Sequence, residues 1–331
     1  MADLPWVGKP AQDWTQQDLR AYNIHVHSQS QSIFFNGLSC SGGVLPSLPS
    51  TSPLYPFLTT PARTPIKNPT YLSSILLSFW DHGVGSDIEL DGLVYNFVRF
   101  ILENMGAPYV TTSIGIYPSP TLTLNVCSTK HEYYADLCLH PNYIVSDIIS
   151  LLVTFEFFVG LNYPRWGKDE SKFDLEQMRK KPLDTWPRDD AEAKLIANAI
   201  AAYDFNNYEA PKLYHDLDEE DKEDVDPYFM VRDPISLAGM TWKGTCPSFY
   251  KISIGSDLVK AVQAGKYPRA PTRIYRYTPV LPEEPHGGMD KFGIKAMQPL
   301  ANRRVVIGCL EAFKMFLRVK RFGTPGFGPR Y

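Results

Sequence analysis

Between Ile148 and Leu161 the chain carries a single charge, Glu156, in a stretch dominated by Ile, Leu, Val and Phe. A run that does not alternate between polar and apolar residues predicts a central strand covered on both faces. Such a strand requires a layered α/β arrangement rather than a sheet open to water. The run is too short to cross a bilayer.

The flanking segments fit that arrangement. Ser86 and Glu89 form a capping-box pair ahead of Leu90, Val94, Phe97, Ile101 and Met105, which recur at helical spacing up to Gly106. This predicts a helix over Asp87–Met105. Tyr109–Ile116 and Thr121–Cys127 are β-branched and aromatic, and Glu132–His140 alternates with Tyr134, Asp136 and Cys138 on one face. After a polar insert from Asn162 to Arg188, Asp189 or Asp190 caps a helix whose apolar side is Leu195, Ile196, Ala199, Ile200 and Tyr203. The expectation is α/β: a central mixed sheet flanked by helices, with residues 86–207 as its core.

Residues 1–85 and 208–331 are then elaborations packed on that core in one compact unit. The first holds a short helix within 12–24 capped by Thr15, a Ser/Pro/Gly-rich arm over 28–67 and a helical stretch Thr70–Trp80. The second begins with Asp216–Asp226, eight acids in eleven residues, expected to be a solvated loop. Strand-like pieces follow at Tyr228–Arg232, Gly239–Lys243, Phe249–Ile254 and Thr272–Val280, with helices at Ser256–Ala264 and Ala301–Lys320. Arg303, Arg304, Lys314, Arg318, Lys320 and Arg321 give the last helix a basic side, expected to be solvated.

Composition narrows the function classes. A net charge of −3 and a pI near 6.2 argue against holding duplex DNA by bulk charge, but leave room for a local basic groove. The five cysteines are scattered, without a C-x-x-C pair, as expected of free thiols in a reducing compartment. With no signal-like segment at Met1–Pro10, a soluble intracellular protein, cytoplasmic or nuclear, is expected, without a membrane partner. Phosphate-loop, dinucleotide, zincin and nucleophile-elbow motifs are all missing. His25 and His27 share a strand face without a nearby third ligand and read as a surface pair. Arg273, Tyr275, Arg276 and Tyr277 interleave charge with rings. That pattern suits stacking of a single-stranded base, or an edge strand protected by charge, the bland and favoured reading.

The informative constellation is Glu89, Asp136 and the strand Leu151–Phe158. Hard oxygen ligands converging at the end of a sheet are what a metal-dependent nuclease needs. The competing reading gives Asp136 an ordinary ion pair. Several segments carry a resemblance: DWTQQDLRAYNIHV (Asp13 to Val26), ADLCL (Ala135 to Leu139), LLV (Leu151 to Val153), AKLIANAIAAYDFNN (Ala193 to Asn207), GTCPSFYKI (Gly244 to Ile252), LVKAVQAGKYP (Leu258 to Pro268) and LANRRVVIGCLEAFKMF (Leu300 to Phe316). In that order they resemble a large family of mushroom-forming fungi whose members look like PD-(D/E)XK, restriction-endonuclease-like nucleases. The resemblance implies a metal-dependent hydrolase scaffold using Mg²⁺ or Mn²⁺, with nucleic acid as partner. It puts the helix acid on Glu89, the strand Asp on Asp136 and the helix Gln on Lys194.

The chain departs from the pattern where the family has its metal-binding Glu and its Lys, which fall here on Phe155 and Phe157. This implies a catalytically impaired protein. A one-residue shift offers another set: Asp136 and Glu156 as ligands, helped by Glu89, with Lys194 standing in for the missing lysine. The alternatives are a non-catalytic binding protein with an aromatic cleft at Phe155 and Phe157, and, ranked last, a small-molecule enzyme reusing the pocket.

Overall fold

The computed structural model describes residues 8–37, 54–59, 87–105, 114–118, 121–141, 149, 151–155, 190–209, 233–284 and 296–321. Along the chain come α1 (Gln16–Ala21), β1 (Ile24–Ser28), α2 (Gln31–Phe34), α3 (Tyr55–Thr59), α4 (Asp87–Asn104), β2 (Ile114–Pro118), β3 (Thr121–Val126), β4 (Thr129–Tyr134), β5 (Leu137–Pro141) and β6 (Leu151–Phe155). They are followed by α5 (Ala191–Asp204), β7 (Ile235–Lys243), β8 (Cys246–Ile254), α6 (Ser256–Gln263), β9 (Thr272–Tyr277) and α7 (Leu300–Arg321).

Seven strands form one sheet in the order β1-β9-β8-β7-β6-β5-β2, and β3 pairs with β4 as a separate hairpin. β1 runs parallel to β9 and β6 parallel to β7, while the remaining neighbours are antiparallel. The architecture is α/β, a mixed sheet flanked by helices. The apolar run supplies β6, an interior strand between β5 and β7, as its composition requires. Strands from all three sequence segments enter the sheet: β1 from the first, β2, β5 and β6 from the second, β7 to β9 from the third.

The pleat sorts side chains into two cores, one on each face. Val153, Met240, Trp242, Phe249 and Tyr277 pack with α2, α3, α4 and α7. Leu152, Leu237, Ile252 and Ile274 pack with α1, α5, α6 and the β3–β4 hairpin. Asp190 caps α5, its Oδ1 accepting a hydrogen bond from the Ala193 amide at 3.0 Å. α5 is buried on nearly every side. Its many alanines suit that place, because a helix between two layers must be thin. Gly239 on β7 lets it come close. A Cβ there would lie 2.8 Å from Ile252 Cδ1 and 2.9 Å from Leu195 Cδ2. Gly239→Ala is therefore expected to lower stability by about 1–3 kcal/mol, read from urea unfolding.

Three expectations change. Thr272–Val280 is not an edge: β9 lies between β1 and β8, because the N-terminal strand β1 adds on outside it. The basic side of α7 is not wholly solvated, since Arg303 and Lys314 are buried and bonded to backbone carbonyls. Glu132–His140 is not one strand; β4 ends at Tyr134 in the hairpin and β5 begins at Leu137 in the main sheet. Thr70–Trp80, Asp216–Asp226 and Tyr228–Arg232 lie outside the described residues. Among the described residues no helix is long and apolar enough to cross a membrane. None of Cys127, Cys138, Cys246 and Cys309 is joined in a disulfide.

Candidate functional site

Asp136 sits on the bend between β4 and β5, not in mid-strand. The chain passes there from the hairpin to the main sheet, so residues 135 and 136 leave both ladders while staying buried. Leu137, the next residue, pairs with Val153 on β6, which fixes Asp136 beside that strand.

α5 crosses over this bend. The Lys194 ammonium lies 2.9 Å from Asp136 Oδ2 and donates to Oδ1 at 3.1 Å. The two side chains are 2 % and 1 % exposed. Both carboxylate oxygens thus meet one cation inside the protein. One turn further along α5, Asn198 donates from Nδ2 to Thr154 Oγ1 on β6 at 3.4 Å. Asn198 Oδ1 is buried without a hydrogen-bond partner among the described residues. Thr154 shares this sheet face with Leu152, and Val153 points to the opposite core.

A second polar group lies at the start of α5. Glu192 Oε2 accepts from the Tyr250 hydroxyl at 2.9 Å and from Arg276 Nη1 at 2.8 Å, and Oε1 accepts from Gln16 Nε2 at 3.2 Å. Thr241 Oγ1 is 3.3 Å from the same Tyr250 hydroxyl. Burial first, then the Glu192 carboxylate, hold the Tyr250 phenol above its ordinary range, so it remains a proton donor. Asp136 at the bend and Thr154, Thr241 and Tyr250 on the sheet face under α5 therefore gather opposite Lys194, Asn198 and Glu192 on the helix.

The structure brings together Asp136 and Lys194 of the expected site. Glu89 is in the first turn of α4, a helix that packs through Val94, Phe97 and Ile101 on the opposite sheet face; its side chain lies outside the described residues. Glu156 and Phe157 lie outside them too, as does the side chain of Phe155 at the end of β6. Among the described residues no group of three His, Cys, Asp or Glu side chains is placed to hold a metal ion. Sequence reasoning missed Asn198, whose signal is its four-residue spacing from Lys194 in an otherwise apolar helix. Glu192 and Tyr250 have no such signal, because their partners are 84 and 58 residues away.

Chemically, a desolvated carboxylate neutralised by an ammonium is a poor metal ligand. Bringing a divalent ion to Asp136 places two cations against one carboxylate, at a cost that low-dielectric surroundings raise. No family model and no curated protein matches this chain.

Proposed function

We propose that the chain is a PD-(D/E)XK nuclease-like scaffold that is catalytically impaired, with Lys194 serving as an internal cation where a Mg²⁺ or Mn²⁺ ion would otherwise meet Asp136. One observation carries this reading: the buried Lys194 ammonium lies 2.9 and 3.1 Å from the two carboxylate oxygens. The helix–strands–helix order of α4, β2 to β6 and α5 supports the scaffold, and Asp136 precedes the strand that pairs with β6. Nucleic acid is the partner class this reading carries.

With Mn²⁺ on single- and double-stranded substrates, wild type and Asp136→Ala are expected to show the same background cleavage. Metal-dependent cleavage by wild type that Asp136→Ala lacks would overturn the impairment. A second readout tests the internal cation directly. Lys194→Ser removes the ammonium and leaves space beside Asp136, so Mn²⁺ is expected to raise the melting temperature of this variant and not that of wild type. Adding Asp136→Asn should abolish the metal response.

A further inference from the structure

The sheet is covered unevenly at its β1–β9 end. Ile24 and Ile274 point into the core beneath α1, α5 and α6. The alternate residues point to the other face, where α2 covers Tyr277 against Phe34 and Phe35. Beyond that cover, His25, His27, Arg273 and Tyr275 are all exposed to solvent, Tyr275 by 36 %. The parallel register places His25 beside Arg273 and His27 beside Tyr275. Ring centroids are 6.2 Å apart for His27 and Tyr275, and 6.4 Å for His25 and His27. The three rings form a row, with Arg273 beside His25 in register.

The strands that carry and flank it are one-sided in charge. β1, β7, β8 and β9 contain no Asp or Glu, in a chain whose net charge is −3. Lys251 stands next to Tyr275 in register on β8, its ammonium over the Phe34 and Phe316 rings at 4.8 and 5.4 Å. Ser236 and Ser253, paired across β7 and β8, extend the same face with small hydroxyls. Arg276 is separate: it points to the α5 face and is engaged by Glu192 and Ser28.

An exposed sheet face with a tyrosine ring, flanking imidazoles and an exposed guanidinium, on strands that carry no carboxylate, matches the chemistry of unpaired bases joined by phosphates. The rings offer flat stacking surfaces and the cation neutralises backbone charge. A duplex hides its base faces and gains little from such a surface. We propose that the β1–β9 face binds single-stranded nucleic acid, with a base stacked on Tyr275 beside His27 and a neighbouring phosphate held by Arg273. This surface lies on the opposite sheet face from Asp136 and about 19 Å along the sheet from β5, at ordinary strand spacing. The inference does not rest on the nuclease-like reading.

The test is fluorescence anisotropy of the full chain with short labelled oligo(dT), oligo(U) and a hairpin duplex at low and moderate salt. Wild type is expected to bind the single strands, and the two arms report a DNA or RNA preference. Tyr275→Ala should weaken binding about tenfold, and Tyr275→Phe should stay within about twofold because the ring is kept. Arg273→Ala should weaken binding at low salt and flatten its salt dependence by about one phosphate contact. The nuclease-like reading is tested by metal-dependent cleavage and by metal-induced melting shifts, neither of which reads this surface, so failure here and failure of that reading are read separately. Unchanged melting of the Tyr275 and Arg273 variants shows that any loss is local. The proposal is overturned by absent binding at low salt, by equal affinity of wild type and Tyr275→Ala, by preference for the duplex, or by an acidic peptide competing as well as the oligonucleotide.

Discussion

Lys194→Met is expected to lower the free energy of unfolding by about 3–5 kcal/mol, the cost of removing one member of a buried ion pair. The side chains of the pair are 2 % and 1 % exposed, so water cannot take over when the ammonium is removed. Asp136 then loses its buried cation, and uptake of a proton in response raises its folded-state affinity for protons above that of the unfolded chain. A carboxyl raised in the folded state contributes stability that is present at low pH and lost as pH rises. The deficit of Lys194→Met relative to wild type is accordingly expected to grow between pH 5 and pH 8 in urea unfolding. The double variant Asp136→Leu with Lys194→Met removes both charges and should recover most of the loss, because an apolar pair of similar volume often matches a buried ion pair. A single-variant deficit below about 0.5 kcal/mol, as for a solvated pair, would show that the contact is not a desolvated ion pair.

The class of fold was legible because its signals are local. The spacing of Val94, Phe97 and Ile101 predicts α4, and Asp189 or Asp190 ahead of an apolar helix predicts its cap; α4 is realised, and Asp190 is the residue that caps. The bend at Asp136 was hidden because a hairpin strand and a sheet strand share the same two-residue alternation, so a change of sheet leaves the pattern unbroken. The interior place of β9 was hidden for a different reason. Whether a charged strand is an edge depends on which other strand pairs with it, and His27 is 248 residues from Tyr275 in the register that decides this. At the candidate site, Asp136 stood out as an acid in a strand-like segment and Lys194 only through the family resemblance, and their union joins residues 58 apart. Glu192, Tyr250 and Thr241 look like ordinary surface or strand residues until α5 is laid across the sheet.

Arg303 makes the same point about α7, and its removal is the other substitution expected to cost most. The side chain is fully buried in the first turn of that helix. Its Nε donates to the Met297 carbonyl at 3.0 Å, Nη1 to Phe57 at 2.6 Å and Nη2 to Gln298 at 3.0 Å, and the guanidinium lies 5.2 Å from the Phe57 ring centre. One planar group thereby ties α7 to α3 and to the segment entering the helix. Arg303→Ala leaves several buried carbonyls unsatisfied and a void beneath Phe57, so a loss of about 3–5 kcal/mol is expected. Arg303→Lys keeps a charge but not the fork or the stacking plane, and should recover only about half of it. Burial, with the neighbouring Arg304, pushes the Arg303 guanidinium down to about 10, which leaves it protonated in both folded and unfolded chains at neutral pH. A group protonated in both states adds no pH slope. The Arg303→Ala deficit should therefore be the same at pH 6 and pH 8, whereas that of Lys194→Met rises across the same interval. Urea unfolding of the two variants side by side separates a lost hydrogen-bond anchor from an orphaned charge. A wild-type midpoint for Arg303→Ala would mean that water or a neighbouring donor satisfies those carbonyls, and that the guanidinium does not fasten the helix.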